Sequence, residues 1–358
     1  MVSTLFLVCV LQSYQPEPQS IEVPDMIVVP EIDVLELTPE MKQFLDEHVG
    51  HVKNPGARLN RLIWVVFNNE FLNLTYENTN TKTAAETFEE RSGNCLSFTN
   101  MFVAMSRYLG FKVAFQEVSN VPTWDKHGNV VVLNRHMNAI VFLGGRQFPV
   151  DFNPDAVVDD RTSRIVSDRR ALAQYYNNIA AEKFGQGKRH EALAWFKKAV
   201  EIDGKISFAW SNLGVAHQYT GNPDKAEACY KKALRVSRME MTAMNNLERL
   251  YSKTGREELA EKYRHKVMRF REKNPFYQYD QGRKAFDRGA YQEAVTRFRK
   301  AIYRKPKTHE FHHMLAAAYH KLGKDAKAAR SLREARGLAP DVFNKDRYSQ
   351  KLETLAKK

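Results

Sequence analysis

The 358-residue chain has little cysteine and no long apolar run. Its three cysteines, Cys9, Cys95 and Cys229, are too few and too scattered for a disulfide scaffold or a structural zinc site. No apolar stretch approaches the roughly 18 residues that a membrane-spanning helix needs. Hydrophobic residues at 43% and charged residues at 27% lie near a globular average, which excludes wholesale disorder. At roughly 100–200 residues per domain, the length predicts two or three domains.

Positive charge is scarce in the first half and abundant in the second. Residues 1–170 hold 15 Lys+Arg against 21 Asp+Glu, and residues 171–358 hold 40 against 21. A half of net charge −6 is therefore followed by one of +19, as expected of separate domains with different partners.

Met1–Leu11 is a short apolar stretch, followed by a polar segment that contains proline. It is similar to the apolar core of an export signal but lacks a basic flank and a small-residue cleavage site. Cys9 is a candidate for lipid attachment, although Val8 stands where such sites carry a small residue. Residues 1–22 are expected to be a signal, an anchor or a disordered tail. The first two would put the protein in the periplasm or at a membrane, and the alternative is the cytoplasm.

From residue 173 onward the sequence repeats. Gly187, Gly221, Gly255, Gly289 and Gly323 are spaced by 34 residues, and an alanine follows each after five: Ala192, Ala226, Ala260, Ala294 and Ala328. A third register runs through Ala199, Ala233, Val267, Ala301 and Ala335. Each glycine falls between two helical patterns, where φ > 0 ends one helix and turns the chain into the next. The small residues mark helix crossings, and Phe196, Trp210, Leu213, Tyr230, Phe298, Leu315 and Tyr319 fill the space between hairpins. Pro306 and Pro340 stand where the second helix of a repeat must stop.

The Trp210–Gly214 and Ala290–Ala301 segments resemble the tetratricopeptide repeat. The register predicts five repeats over 173–342, followed by a capping helix over 343–358. The resemblance implies a groove that takes a protein or peptide partner, and the basic charge favours an acidic one. Aromatic residues among the basic ones sit mostly in core register, so no stacking platform for nucleic acid is evident.

The first half carries the chemistry. Thr38–Val49 reads as a capped helix, Arg58–Asn69 and Thr83–Arg91 as further helices, and Leu96–Leu109 as an apolar helix ended by Gly110. Phe111–Val118, Val130–Leu133, His136–Leu143 and Gln147–Phe152 have strand character, with Gly144-Gly145 as a hairpin turn. Helices first and an antiparallel sheet after is an α+β order.

Ser92-Gly93-Asn94 turns the chain so that Cys95 opens its helix. There the unpaired N–H groups and the helix dipole favour a thiolate. The same N–H groups can stabilise the oxyanion formed when a thiolate attacks an amide. Such a nucleophile needs a proton acceptor, and His136 opens a strand 41 residues later. The histidine in turn needs a carboxylate, and Asp151 ends the strand across the hairpin. No side-chain oxyanion donor stands out upstream of Cys95; Asn94 and Asn100 are only nearby amides. A metal site from Asp125, His127 and His136 fits no zinc spacing, and no cofactor motif is present. His51 and His127 read as surface residues, and Cys229 as a small core residue.

Thr83–Glu86, Arg91–Ser97, Arg107–Phe111, Arg135–Val141 and Phe148–Pro154 resemble the core of the transglutaminase-like superfamily. The resemblance covers roughly residues 80–155. It implies a papain-like α+β fold with Cys95 as nucleophile, His136 as general base and acid, and Asp151 as its orienter. The fusion to tetratricopeptide repeats resembles a bacterial arrangement. One departure is Met137-Asn138 after the histidine, where the family often has an aromatic (H-A-W).

The expected organisation is a transglutaminase-like domain over 23–156, a linker over 157–172, and an all-α repeat solenoid. Its expected activity is amide chemistry through a thioester at Cys95, by hydrolysis or acyl transfer. The alternative is a non-catalytic interaction protein with a degenerate transglutaminase-like module.

Overall fold

A computed structural model describes residues 7–8, 27–77, 80–127, 130–152, 163–339 and 342–356. Apart from a two-residue strand, β1 (Leu7–Val8), the N-terminal tail lies outside the described residues, as do residues 153–162.

Helix α1 (Pro39–Leu45) starts where Thr38 Oγ1 accepts from Met41 N–H, and the chain runs on through a π-helical turn to Gly50. Helix α2 (Pro55–Phe67) is capped by Asn54 and has Pro55 at its first position, where the missing N–H costs nothing. Strand β2 (Thr75–Tyr76) pairs in parallel with β3 (Ser92–Gly93). Between them lies α3 (Ala84–Glu90), with Thr83 and Glu86 forming a capping box. Arg91 closes α3 at φ 52°, which swings the chain into β3. Helix α4 (Cys95–Tyr108) follows and is buried from Cys95 through Ser106, so it is the central helix of the domain.

The sheet is antiparallel. Strand β4 (Lys112–His127) pairs with β5 (Val130–Leu143), and β6 (Arg146–Val150) returns along β5 after the Gly144-Gly145 turn. The two strands expected over 130–133 and 136–143 are one strand. Its register shift lies opposite, between Val118 and Thr123 of β4. Strand β1 lies on β5 and β7 (Ser163–Val166) on the far edge of β4.

That last strand corrects the expected linker. Residues 163–166 belong to the sheet, and helix α5 (Asp168–Gly185) starts at once behind a Ser167 cap. Residues 157–162 of that expected linker lie outside the described residues. The segment reads as loop because Arg164 and Ile165 are exposed. The backbone pairing of an edge strand leaves little trace in composition.

The first repeat is not a separate body either. Ala171, Tyr175 and Tyr176 of α5 and Ala199 of α6 (Arg189–Ile202) share one core with Leu59, Phe102, Val141 and Phe152. Tyr176 Oη donates to Pro30 O at 2.7 Å and accepts from Ile32 N–H at 3.0 Å. Arg107 grips Asp168 with two hydrogen bonds of 2.6 and 2.8 Å. Glu117 of β4 takes Arg170 and Arg164, each at 2.6 Å. Burial raises the Glu117 pKa, but the two guanidiniums outweigh it and hold the carboxyl below its usual range.

The remaining helices are α7 (Ser207–Tyr219), α8 (Pro223–Val236), α9 (Met241–Lys253), α10 (Glu257–Lys273), α11 (Pro275–Asp287), α12 (Tyr291–Arg304), α13 (His309–Lys321), α14 (Asp325–Leu338) and α15 (Val342–Ala356). Helices α7 and α8, α11 and α12, and α13 and α14 pack as hairpins, and α15 packs on α14. The five phased glycines sit at φ 68–83° in the hairpin turns. Gly214 and Gly282 act differently: a Cβ at either would meet the Tyr230 or Phe298 ring at 2.5–2.6 Å.

The chain divides into two compact units, Met1–Ala260 and Glu261–Lys358. The division falls in the third repeat, where Glu248 and Arg264 hold the register of Gly214 and Tyr230. The positive charge divides there as well. Residues 261–358 hold 26 Lys+Arg against 11 Asp+Glu, and residues 1–260 are nearly balanced.

Candidate active site

Cys95 is the first residue of α4 and is fully buried. Asn94 before it is extended, with ψ −178°, and its Oδ1 accepts from Ser97 N–H at 3.0 Å and Ser97 Oγ at 3.1 Å. Gly93 permits this close turn, because a Cβ there would stand 2.6 Å from Ser97 Cβ. The Ser-Gly-Asn stretch thus delivers the thiol to the positive end of the helix.

The hairpin brings the other two residues level. Val118 pairs with His136, and Ala139 pairs with Val150, so Asp151 emerges opposite Asn138. His136 Nε2 lies 2.6 and 2.7 Å from the two oxygens of Asp151. Both side chains are about one-seventh exposed, at 14%. Helix and strand are pinned at the same level, since Thr99 Oγ1 meets Cys95 O at 2.6 Å and Met137 O at 3.2 Å.

Electrostatically the imidazole belongs to two partners. Burial alone would lower its pKa, but Asp151 and the Cys95 sulfur outweigh burial and push it up to about 10. Asp151 occupies Nε2. The nitrogen left for the sulfur is Nδ1, which is buried and makes no hydrogen bond of regular geometry. Cys95, His136 and Asp151 therefore lie together at one site. With its pKa at about 10 the ring is an imidazolium at neutral pH, with Nε2–H held by the carboxylate and Nδ1–H left for the sulfur.

The sequence did not single out Asn138 for any role at the site. Its Nδ2 donates to Asp151 Oδ2 at 3.1 Å, and the residue is fully buried. The signal was its place two residues from His136 on a strand, which puts both on one face. The two nearby amides are occupied elsewhere. Asn94 caps α4, and Asn100 Nδ2 reaches Lys82 O at 3.4 Å. Lys82 itself is buried, with Nζ 2.5 Å from Ser92 Oγ and 2.8 Å from Glu90. Cys229 lies in the core of α8, where burial pushes its thiol up to about 11.

His51 is exposed, whereas the side chains of Asp125 and His127 lie outside the described residues. Among the described residues no three His, Cys, Asp or Glu side chains are grouped to hold a metal ion. No helix among them is long and apolar enough to cross a membrane.

Residues 42–152 match the transglutaminase-like superfamily. Residues 172–202, 207–238 and 279–342 match three tetratricopeptide repeat families. No curated protein matches the chain. Among solved structures the chain is similar to YrrB, described as a TPR protein with an unusual peptide-binding site. Identity is 21%, over 50% of this chain and 92% of that one, at a TM-score of 0.27. It is also similar to MamA from Desulfovibrio magneticus RS-1, with 18% identity over 48% and 96% of the two chains and a TM-score of 0.28. The APC/C hetero-tetramer Cut9-Hcn1 matches at 20% identity over 51% of this chain, with a TM-score of 0.27. There the match spans only 36% of the other chain. The chain thus joins a transglutaminase-like domain to a run of tetratricopeptide repeats across residues 172–342.

Proposed function

We propose that the protein is a cysteine enzyme acting on peptide or glutaminyl-type amides. The observation that carries this reading is the run of contacts from Asp151 through His136 to a cysteine at a helix N-terminus. His136 holds the thiol proton as an imidazolium, and Cys95 Sγ attacks the amide carbonyl carbon. The positive end of the α4 dipole lies at the developing oxyanion. His136 then returns the proton to the departing nitrogen as the C–N bond breaks, leaving a thioester. Water or an amine attacks the thioester, gives a proton to His136 and releases Cys95. Hydrolysis requires only access for water, and we favour it over cross-linking.

The repeats recruit a protein or peptide partner, and the charge in residues 261–358 favours an acidic one. An open groove of about 500 Å³, lined by Arg299, Lys300 and Arg304 against a single acid, Glu272, with Thr296 and Tyr303, supports that charge preference. The N-terminal tail would export or anchor the protein, giving a periplasmic or membrane-bound location.

A second reading makes the domain a non-catalytic module. It is favoured by the complete burial of Cys95, which leaves no path for substrate without movement. Alkylation of Cys95 against pH decides between the two, with Cys9→Ser and Cys229→Ala removing the other thiols. A rate that plateaus well below pH 8 and collapses in His136→Ala supports the enzyme. A profile that follows an ordinary thiol near pH 8.5 in both proteins refutes it.

A further inference from the structure

We propose that Glu182, on the first repeat helix, is a positioning residue for Cys95. In this reading it sets the direction of a buried hydrogen-bond run that fixes the cap of the nucleophile's helix. The inference rests on the reading of Cys95 as nucleophile.

Glu182 Oε1 accepts from Asn80 N–H at 3.1 Å, Thr81 N–H at 2.8 Å and the Thr81 hydroxyl at 2.8 Å. Burial raises the pKa of this carboxyl, and the Thr81 and Asn80 bonds oppose the shift. A carboxylate can only accept, so the single hydroxyl proton of Thr81 is committed to it. Thr81 Oγ1 can then only accept from its other neighbour, Asn94 Nδ2, at 2.7 Å. That in turn points Asn94 Oδ1 at Ser97 N–H and Ser97 Oγ, which is the capping orientation. Ser97 Oγ, having donated, accepts from Lys82 N–H at 2.8 Å.

Every link after Glu182 is out of solvent: Thr81 is 3% exposed, and Asn94 and Ser97 are fully buried. Water therefore cannot replace a missing partner. Without the carboxylate, the Thr81 hydroxyl is free to donate toward Asn94. The amide can then turn over and present Nδ2 to the Ser97 N–H, donor against donor. The cap at Cys95 is lost, and with it part of the field that favours the thiolate. The repeat array is on this account a working part of the thiol site as well as its recruiting arm.

The test uses the full chain with Cys9→Ser and Cys229→Ala, iodoacetamide as probe, and the midpoint of the alkylation-rate profile against pH as readout. Glu182→Ala is expected to raise that midpoint and slow alkylation at neutral pH by roughly 3–30-fold, the scale of a lost cap. Glu182→Gln, which keeps an acceptor, is expected to restore most of the rate. Tyr176→Phe loosens the same helix without touching the run, and is expected to lower the melting temperature with the midpoint unmoved. If Glu182→Ala does not fold, Thr81→Val and Thr81→Ser ask the same question, with loss expected in the first and retention in the second.

A Glu182→Ala midpoint equal to that of the parent, while His136→Ala still collapses the rate, overturns the role of Glu182 and spares the reading of Cys95. An ordinary-thiol profile in every variant overturns both. A midpoint shift in Tyr176→Phe as large as in Glu182→Ala also overturns the proposal, because the effect would then be general loosening.

Discussion

Asn138 donates to the Asp151 oxygen that lies 2.7 Å from His136 Nε2, so one carboxylate oxygen is held by two residues of the same strand. The amide limits the rotation of Asp151 and keeps both its oxygens on the ring. Replacing Asn138 by Ala removes one buried charge-assisted bond, worth about 1–3 kcal/mol. Turnover, or the Cys95 alkylation plateau, should fall roughly 5–150-fold with the fold retained. Asn138→Asp should be worse, because a second carboxylate beside Asp151 drives one of the pair to protonate. An unchanged plateau in both variants would remove Asn138 from the site.

His136 carries a pH signature of its own. Its pKa is raised to about 10 in the folded protein, from about 6.5 when unfolded. The stability it contributes is therefore fully present below about pH 6.5 and is lost as pH rises through about 10. The difference in unfolding free energy between wild type and His136→Gln should be flat from pH 5 to 6.5. It should then shrink steadily toward pH 10. A difference that grows with pH would contradict the ion pair.

Two repeat histidines behave in the opposite sense. Burial, then Lys197 and Lys225, hold His217 down to about 4. Burial, then Lys351, Arg347 and His309, do the same for His313. Each must charge against its surroundings, so stability present above about pH 6.5 is lost as pH falls toward 4. Thermal melts at pH 7 and 4.5 should show His313→Gln losing less of its melting temperature in acid than wild type does.

Gly214 and Gly282 should not tolerate alanine, although alanine is the better helix former by about 1 kcal/mol. The added Cβ would sit 2.5–2.6 Å from an aromatic ring carbon and force the helix pair apart, costing about 1–3 kcal/mol. Urea denaturation should show net destabilisation in Gly214→Ala, relieved by adding Tyr230→Leu. A stabilised Gly214→Ala would mean that the ring moves freely.

A fragment of residues 27–166 should fail to fold, whereas one of residues 27–206 should melt cooperatively. The first lacks Tyr175, Tyr176 and Ala199 from the shared core, along with the partner carboxylate of Arg107. Circular dichroism in the near ultraviolet against temperature is the measurement. A cooperative transition in the shorter fragment would show that the core closes without the first repeat.

The sequence alone determined the repeats and the order of the three site residues, because both rest on local rules. A glycine every 34 residues marks a turn that needs φ > 0, wherever the rest of the chain lies. A cysteine after Ser-Gly-Asn opens a helix for reasons confined to that turn. The hairpin at Gly144-Gly145 likewise sets Asp151 opposite Asn138 by register, within reach of His136 two residues along the strand.

Tertiary structure decided what depends on distant partners. Glu182 reaches Thr81 from 101 residues away, and nothing near either residue announces the contact. Strand β7 exists because β4 offers it an edge, and its own composition reads as a polar loop. The boundary between domain and repeats vanished for the same reason: the Tyr176 hydroxyl meets Pro30, and its ring joins the core around α4. Period and turn chemistry are written in neighbouring residues, whereas a shared core and a buried hydrogen-bond run appear only when the chain returns on itself.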